Sequence, residues 1–334
     1  AIARQVQIQL SPQERAQLAR ARPINPEAHE AYLKGRFFWD KFAIDALQKS
    51  VGFYQRAIEK EPDYAEAYAG LAATYGIMGN FGVLPPAVAY PKAQEAVRKA
   101  LQIDESLSYA HGQLGFTLMF YDRDWAAAER EFQRAIQLDK SNANAYEGYE
   151  VCFLARGRFR EALEEILHAR ELDPLSLVIN GDVGYTYYFT RRYDEALQQF
   201  RKNLEMDPDF PPTHWMLSRV YAAKGMYREA HEEGLKTASL AQAHPNWIAP
   251  LERAYAGGGW RAREKERIKL LAESRKHGKY ESAYWTAEAY AHLGEKDLAM
   301  QWLERAADER FYLVTYLKVE PKFDLLRSDP RFQA

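Results

Sequence analysis

The chain has 334 residues and a formal net charge of −2, which gives no electrostatic footprint for nucleic acid or for an anionic membrane surface. Its length alone suggests two domains, its longest apolar runs are far too short to span a bilayer, and its single cysteine, Cys152, excludes an internal disulfide. It begins with Ala1 and has no charged-then-apolar signal segment, so we expect a piece of a longer protein.

Residues 1–24 are interpreted as a lead-in to the main fold. Apolar and polar residues alternate over residues 1–10, which indicates a strand or an irregular start. A capping box at residues 11–14, with proline at the first helical position, predicts a short helix over residues 12–21. The next helix is expected to begin in the same way at Asn25-Pro26.

From there the sequence predicts helices in pairs. The first pair ends with a helix over residues 47–60, and the second pair begins at Ala65. The alanine expected in the second helix of that pair is nine residues late, at Ala93. We therefore predict an insertion at residues 76–92, which forms an excursion between the two helices because glycine and proline interrupt its first half.

The organising feature is an internal repeat. Residues 143–174 and 177–208 carry the same pattern with a shift of 34 residues. Apolar residues recur at spacings of three and four, which is typical of amphipathic helices. Gly157 interrupts the two helices of the first copy, and Pro174 and Pro208 end the two copies. This self-similarity predicts an array of helical hairpins.

The second copy places small, aromatic, alanine and proline residues at a characteristic spacing. They are Gly184, Tyr187, Ala196, Phe200 and Pro208. This spacing resembles the tetratricopeptide repeat (TPR) pattern. The resemblance covers residues 25–310 and implies an all-α fold, an α-solenoid of about eight stacked antiparallel helix pairs that form a right-handed superhelix.

Near the C-terminus the repeat weakens and then recovers. The seventh repeat, about residues 247–275, is degraded because Glu264 occupies the alanine position. The eighth repeat recovers with Ala299 and Leu303. Residues 311–334 are expected to cap the open end of the stack, as terminal units of solenoids do.

A narrower resemblance comes from segments outside the repeat consensus. Residues 7–26, 31–36, 84–86 and 316–323 are similar to the TPR region of bacterial TolB-like or CadC-type transcriptional regulators, adenylate cyclase-type regulators and serine/threonine kinase-linked signalling proteins. The resemblance leaves the compartment open: if the chain is part of a membrane-anchored regulator, we expect a soluble segment on the cytoplasmic or periplasmic side. The DNA-binding, kinase and cyclase residues of those proteins do not lie in this chain.

The TPR resemblance also implies which side chains face the concave groove. The first helix of each hairpin lines that groove, and its groove positions here are mostly large and uncharged. The predicted partner-binding residues are Tyr109, Phe116, Phe120, Tyr185, Tyr188, Phe189, Trp215 and Arg219. An exposed aromatic surface of this kind typically binds a protein or peptide. The alternative is that these rings pack against neighbouring turns, the insertion or the N-terminal segment.

Two charged features stand out against the repeat pattern. Glu150 occupies a position that holds small residues in other repeats, and we interpret it as rotated to a solvated edge, with a buried and protonated carboxyl as the alternative. The basic residues among residues 261–269 are interleaved with Glu264 and Glu266, which favours a solvated helix face over nucleic-acid binding.

No residue constellation indicates catalysis, a metal or a cofactor. The eight histidines lack zinc-site spacing, and His111 and His214 are interpreted as packing residues. Residues 257–259 are read as a helix end and turn, and Cys152 as a buried hydrophobe. We therefore expect a non-catalytic scaffold that binds a peptide or protein segment. The alternative is a sensory segment of a larger signalling protein whose curvature responds to a ligand.

Overall fold

The computed structural model describes residues 24–242 and 245–333, so the predicted lead-in strand and the helix over 12–21 lie outside the described residues. Described residues are helical or in turns, with no β-strand among them. The helices are α1 (Pro26–Trp39), α2 (Ile44–Lys60), α3 (Ala65–Asn80), α4 (Pro86–Ile103), α5 (Ser108–Thr117), α6 (Trp125–Leu138), α7 (Ala143–Ala155), α8 (Phe159–Leu172), α9 (Leu177–Phe189), α10 (Tyr193–Met206), α11 (Pro211–Ala223), α12 (Tyr227–Ala241), α13 (Ile248–Lys276), α14 (Ala283–Leu293), α15 (Lys296–Asp308) and α16 (Pro330–Gln333).

Consecutive helices pack as antiparallel hairpins, and the predicted α-solenoid is confirmed. The two copies of the internal repeat are α7–α8 and α9–α10. Helix α9 begins at residue 177, 34 residues after the start of α7 at residue 143, and α10 begins at residue 193, 34 residues after the start of α8 at residue 159. Within the described residues, no helix combines the length and the apolar character needed to cross a membrane.

Adjacent hairpins are joined by an aromatic ring of one second helix that lies against glycines of two first helices. Tyr54 of α2 is 2% exposed and is held between Gly35 and Gly70. Phe132 of α6 is fully buried between Gly115 and Gly148 in the same way. The ring fills the space that a Cβ would need, so the small residues of the repeat pattern are required by close packing.

Two glycines of α3 therefore make a matched test of this packing. A Cβ at Gly70 would lie 2.4 Å from Cζ of Tyr54, whereas a Cβ at Gly76 would meet nothing within 4 Å. We expect Gly70→Ala to destabilise the protein by about 1–3 kcal/mol through overpacking. Gly76→Ala should stabilise it by roughly 0.5–1 kcal/mol through helix propensity. Urea denaturation of both variants checks the difference, and equal effects would contradict it.

The residues predicted as an insertion mostly lengthen the second hairpin. Helix α3 continues through Gly79 to Asn80, which the glycine and proline pattern did not predict, and α4 begins at Pro86. The loop between them is short, and its Phe81 contacts Phe42 with a ring-centroid distance of 5.9 Å. Phe42 also contacts Phe210 at 5.3 Å, so the turn of the first hairpin touches the chain just before α11. The array therefore curls back on itself.

The degraded seventh repeat is one long helix with a break. Helix α13 spans Ile248–Lys276, and its backbone leaves helical geometry at Gly258 and Gly259. Gly259 has φ 64° and ψ −154°, a conformation that strongly favours glycine. The predicted turn at residues 257–259 is thus a kink inside α13, and the second part of the helix packs on α14.

Residues 311–326, called the closing segment below, return along the array after α15. They form two short 3₁₀ turns, Tyr312–Tyr316 and Pro321–Leu326. Phe311 and Phe323 pack on Tyr284 of the last hairpin, with ring-centroid distances of 5.6 Å each. The segment predicted to cap the stack thus covers the last hairpin, but it also continues into the concave side.

Candidate partner-binding groove

The concave groove is formed by the first helices of the central hairpins, α5, α7, α9 and α11. The structure brings six of the eight predicted residues into one buried cluster together with the closing segment, and they are Phe116, Phe120, Tyr185, Tyr188, Phe189 and Trp215. Arg219 is buried beside them, with its guanidinium over the Trp215 ring. Tyr109 lies apart from them, because it packs on the separate core formed by the first hairpins.

Aromatic stacking joins the groove to the closing segment. The rings of Phe189 and Tyr316 stack with centroids 5.0 Å apart, and Tyr185 contacts Tyr316 at 5.5 Å. Phe120 contacts Tyr312 edge-on at 5.8 Å. Offset and edge contacts at these separations are the favourable arrangements for aromatic pairs. The concave aromatic rings thus contact part of their own chain.

A buried carboxylate lies at the centre of this contact. Glu320 of the closing segment is fully buried, and its Oε1 accepts a hydrogen bond of 2.5 Å from the Tyr188 hydroxyl. Its Oε2 forms an ion pair with Arg219. Burial, followed by the negative charge of Glu320, raises the pKa of Tyr188 well above its ordinary value. Burial alone would lower the pKa of Arg219, but Glu320 raises it.

Arg219 is held on several sides. Its guanidinium lies over the Trp215 ring at 4.7 Å and near the Tyr188 ring at 5.4 Å. Its Nη1 lies 3.6 Å from Oε1 of Glu288 on α14. Sequence analysis assigned Arg219 to the groove but missed its partner Glu320. The available signal was an acidic residue placed directly between Val319 and Pro321.

Polar contacts from the closing segment and its neighbours bridge distant hairpins. Arg310 Nη1 donates to the Tyr121 carbonyl at 3.0 Å, and Arg123 Nη2 donates to the Ala307 carbonyl at 2.8 Å. Lys318 Nζ donates to the Arg156 carbonyl at 3.1 Å. The closing segment therefore connects the third, fourth, fifth and sixth hairpins to the last one.

Three carboxyl groups meet on the wall of the groove. Glu150 is 1% exposed, and Thr186 Oγ1 donates to its Oε1 at 2.7 Å. Burial raises the pKa of Glu150 to about 8 and that of Glu147 to about 7, and it raises the pKa of Asp182 well above its ordinary value. The prediction that Glu150 lies at a solvated edge is wrong, because its side chain lies between two hairpins, where burial favours the protonated carboxyl.

The raised pKa of Glu150 gives a pH-dependent prediction. Between the ordinary value of 4.5 and about 8 the folded state binds more protons than the unfolded state, so this carboxyl makes stability fall as the pH rises. We expect Glu150→Gln, which keeps an acceptor for Thr186, to stabilise the protein by roughly 2 kcal/mol at alkaline pH and to change little at acidic pH. Thermal melts across this range measure it.

The control for that experiment is Glu164→Gln on α8, because the side chain of Glu164 is 67% exposed. It should leave the pH profile unchanged. Glu147 and Asp182 titrate with Glu150, so the profile should flatten in Glu150→Gln without becoming level. An unchanged slope in Glu150→Gln would contradict the buried, protonated carboxyl.

The two histidines interpreted as packing residues play the same part in two hairpins. Nδ1 of His111 pairs with Glu131 at 2.7 Å, and its Nε2 bonds to the Glu105 carbonyl. His214 bonds in the same way to Glu233 and to the Pro208 carbonyl. Each histidine thus ties the two helices of its hairpin to the preceding loop.

The basic residues of α13 do not all face solvent. Arg261, Lys265 and Lys269 are exposed as expected. Arg263 is buried, and Arg267 is partly buried, because both pair with the fully buried Glu264. The alanine position of this repeat therefore holds a buried carboxylate that draws guanidinium groups inward.

Cys152 is fully buried, as interpreted from sequence, and its Sγ lies 3.6 Å from the sulfur of Met119. Burial raises the pKa of its thiol to about 12, which makes it a poor nucleophile. In the part of the chain that the structure describes, no cluster of three or more His, Cys, Asp or Glu side chains has an arrangement that could hold a metal ion.

Comparison with known proteins agrees with this architecture. Family models described as tetratricopeptide repeat match residues 53–82, 118–176, 179–210 and 268–310. The TPR repeat-containing protein YpiA of Bacillus subtilis is 23% identical over 82% of this chain and 71% of its own length. The transcriptional regulator HilA of Salmonella typhimurium is 23% identical over 50% of this chain, but the match spans only 30% of HilA.

Two solved structures share the fold. One chain of the APC/C hetero-tetramer Cut9-Hcn1 aligns with a TM-score of 0.60 and 14% identity, over 94% of this chain and 58% of that chain. The human IFIT1 dimer with PPP-AAAA aligns with a TM-score of 0.54 and 17% identity, over 80% of this chain and 69% of that chain. At these identities the likeness concerns the fold alone. The repeat matches and the stacked hairpins show that this chain is a tetratricopeptide repeat protein.

Proposed function

We propose that this chain is a non-catalytic scaffold that binds a peptide or protein segment in its concave aromatic groove. The observation that carries the proposal is the closing segment itself. An irregular stretch of chain lies in the groove, with Tyr316 on the aromatic rings and Glu320 on Arg219 and Tyr188. A groove that accommodates this segment offers the aromatic and charged anchors that typically dominate partner binding.

A partner segment that uses the same anchors must compete with the closing segment. Partner affinity is then reduced by the fraction of molecules in which the groove is already occupied. One protein that shares the fold supports a role in protein assembly, because Cut9 was solved in a hetero-tetramer with Hcn1. The three-dimensional likeness does not carry the partner of that protein to this chain.

The competition can be tested on the full chain. Proteins from the native host are captured on the wild-type chain and on variants, and each bound protein is quantified. Glu320→Ala should increase capture of a groove partner several-fold by freeing the groove, whereas Glu320→Ala with Tyr185→Ala should lose it, since each anchor is worth about 1–2 kcal/mol or more. Leu175→Ala is the control, because Leu175 is 79% exposed and lies outside the groove. Equal capture by all variants would contradict groove binding.

We also propose that this segment does not bind nucleic acid through the groove. The chain has a net charge of −2, and Arg219 is already paired with Glu320 and Glu288. IFIT1, which shares the fold, was solved with PPP-AAAA, so that ligand is the natural probe. Retention of a triphosphorylated oligoadenylate at low salt, lost with Arg219→Gln, would overturn this part of the proposal.

A second candidate function is a sensory segment of a larger bacterial signalling protein. Two observations favour it: the match to part of the transcriptional regulator HilA, and the contacts that join distant hairpins of the array through the closing segment and its neighbours. In that case Glu320→Ala should open the array, as seen by small-angle scattering, and change the output of the attached effector in the parent protein. An opened array with unchanged output would leave the scaffold function as the better account.

A further inference from the structure

A cavity lies beside Arg219, and the closing segment lines part of it with Tyr312, Pro321 and Lys322. It has a volume of about 470 Å³ and lies among α11, α12, the second part of α13 and α14. Trp215, Trp247, Trp260 and Trp285 contribute to its wall. We name it the tryptophan cavity. Its volume is in the range of sites for small organic molecules.

Two guanidinium groups on this wall are buried and incompletely satisfied. Arg219 and Arg263 both line the cavity and are 6% and 7% exposed. The Nε atoms of both are buried and have no hydrogen-bond partner among the described residues. An unsatisfied buried donor is costly, and more so when it is charged. These two donors therefore indicate a missing acceptor.

Each of these guanidinium groups lies over an indole ring of the same cavity. Arg219 is 4.7 Å from the Trp215 ring centroid, and Arg263 is 4.8 Å from that of Trp260. Trp215 in turn contacts Trp285 at 6.3 Å. The wall thus combines flat apolar faces, which stack on aromatic groups, with planar cations, which bind carboxylates bidentately.

The ion pairs around the cavity form one connected network. Its basic members are Arg219, Arg263, Arg267 and Lys322, and its carboxylates are Glu264, Glu288 and Glu320. Burial, with the charges of Arg219 and Arg267, lowers the pKa of Lys322 well below its ordinary value. The network therefore holds no surplus carboxylate that could serve as an acceptor for the two Nε donors.

We propose that the tryptophan cavity is a binding site for a small aromatic monocarboxylic acid, whose carboxylate bonds to Arg219 and Arg263 while its ring stacks on the tryptophans. This site goes beyond the scaffold function, since it takes a free small molecule and not a segment of a protein. The carboxylate supplies the acceptors that the two Nε donors lack. The apolar volume beside Trp285 and Leu271 holds the ring.

The test uses a matched pair of probes on the full chain. 4-Phenylbutyrate carries the carboxylate, and 4-phenylbutyramide has nearly the same shape without the charge. Titration calorimetry and thermal shift should show the carboxylate bound at least about tenfold more tightly than the amide. Binding should also raise the melting temperature. Equal affinity for the two probes, or no heat and no shift with the carboxylate, would overturn the proposal.

Three variants locate the site. Arg263→Gln should weaken carboxylate binding about tenfold and abolish the preference over the amide. Ala238→Trp fills the cavity without removing a charge, so it should abolish binding even if Arg263→Gln folds poorly. Lys265→Gln, an exposed neighbour on α13, should bind as the wild type does. Undiminished binding to a folded Ala238→Trp variant would place the ligand elsewhere and refute the assignment.

Discussion

Replacing Glu320 by alanine is expected to destabilise the protein by about 3–5 kcal/mol, because it removes the nearer of the two carboxylates that pair with the buried guanidinium of Arg219. It also removes the acceptor of the Tyr188 hydroxyl. The closing segment should detach, so trypsin should cleave after Lys318 and Lys322 much faster than in the wild type. Urea denaturation followed by circular dichroism, together with limited proteolysis, measures both effects.

The closing segment contains its own control. Asp324 pairs with Arg191 at 2.7 Å, but both side chains are about two-fifths exposed, at 44% and 40%. Asp324→Ala should therefore cost no more than about 1 kcal/mol. Glu320→Gln keeps an acceptor for Tyr188 and should lie between the two. A cost for Glu320→Ala no greater than that for Asp324→Ala would show that the closing segment is held by its aromatic rings alone.

The second large effect is expected at Glu264, the buried carboxylate of the degraded repeat. It pairs with Arg263 and Arg267 and lies 3.3 Å from Nδ1 of His292. Burial would raise its pKa, but Arg263 and the other partners hold the pKa well below the ordinary range. Glu264→Ala should cost about 3–5 kcal/mol, because it leaves the buried guanidinium of Arg263 without its ion-pair partner, while Arg267 keeps Glu288.

The pH dependence has a definite sign. A carboxyl with a lowered folded pKa stabilises the protein above its unfolded pKa and loses that contribution as the pH falls. Wild type and Glu264→Ala should therefore converge in stability under acidic conditions. Glu266→Ala is the neighbouring control, because its partner Lys269 is 74% exposed and the pair is worth little. A constant difference between Glu264→Ala and wild type from neutral to acidic pH would contradict the buried pair.

The repeat could be predicted from sequence because it is a local pattern stated several times. Helix periodicity, the Asp-Pro stops and the small residues opposite aromatic rings all concern contacts within one hairpin or between neighbours. What a helical pattern cannot give is the partner of a side chain that faces away from its own hairpin.

The groove residues illustrate that limit. The repeat pattern placed Tyr185, Tyr188 and Phe189 on the concave side, but it could not reveal that residues more than one hundred positions away would cover them. Tyr188 and Glu320 are 132 residues apart in sequence. The predictions of solvated side chains for Glu150 and Glu264 were wrong for a related reason. Both were judged by the expected residue at one position, whereas their burial depends on Thr186 and on Arg267 in the surrounding structure.

The closing segment also changes how such an array should fold. A linear solenoid has mostly local contacts and can unravel from either end, one unit at a time. Here Arg310 bonds to a residue 189 positions earlier, and Glu320 to Arg219 across 101 positions. Contacts between residues this far apart in sequence slow folding, because the entropy of closing a long loop is lost before the contacts can stabilise the chain. They should also make the hairpins from α5 to α15 lose their amide protection against hydrogen exchange as a single cooperative block.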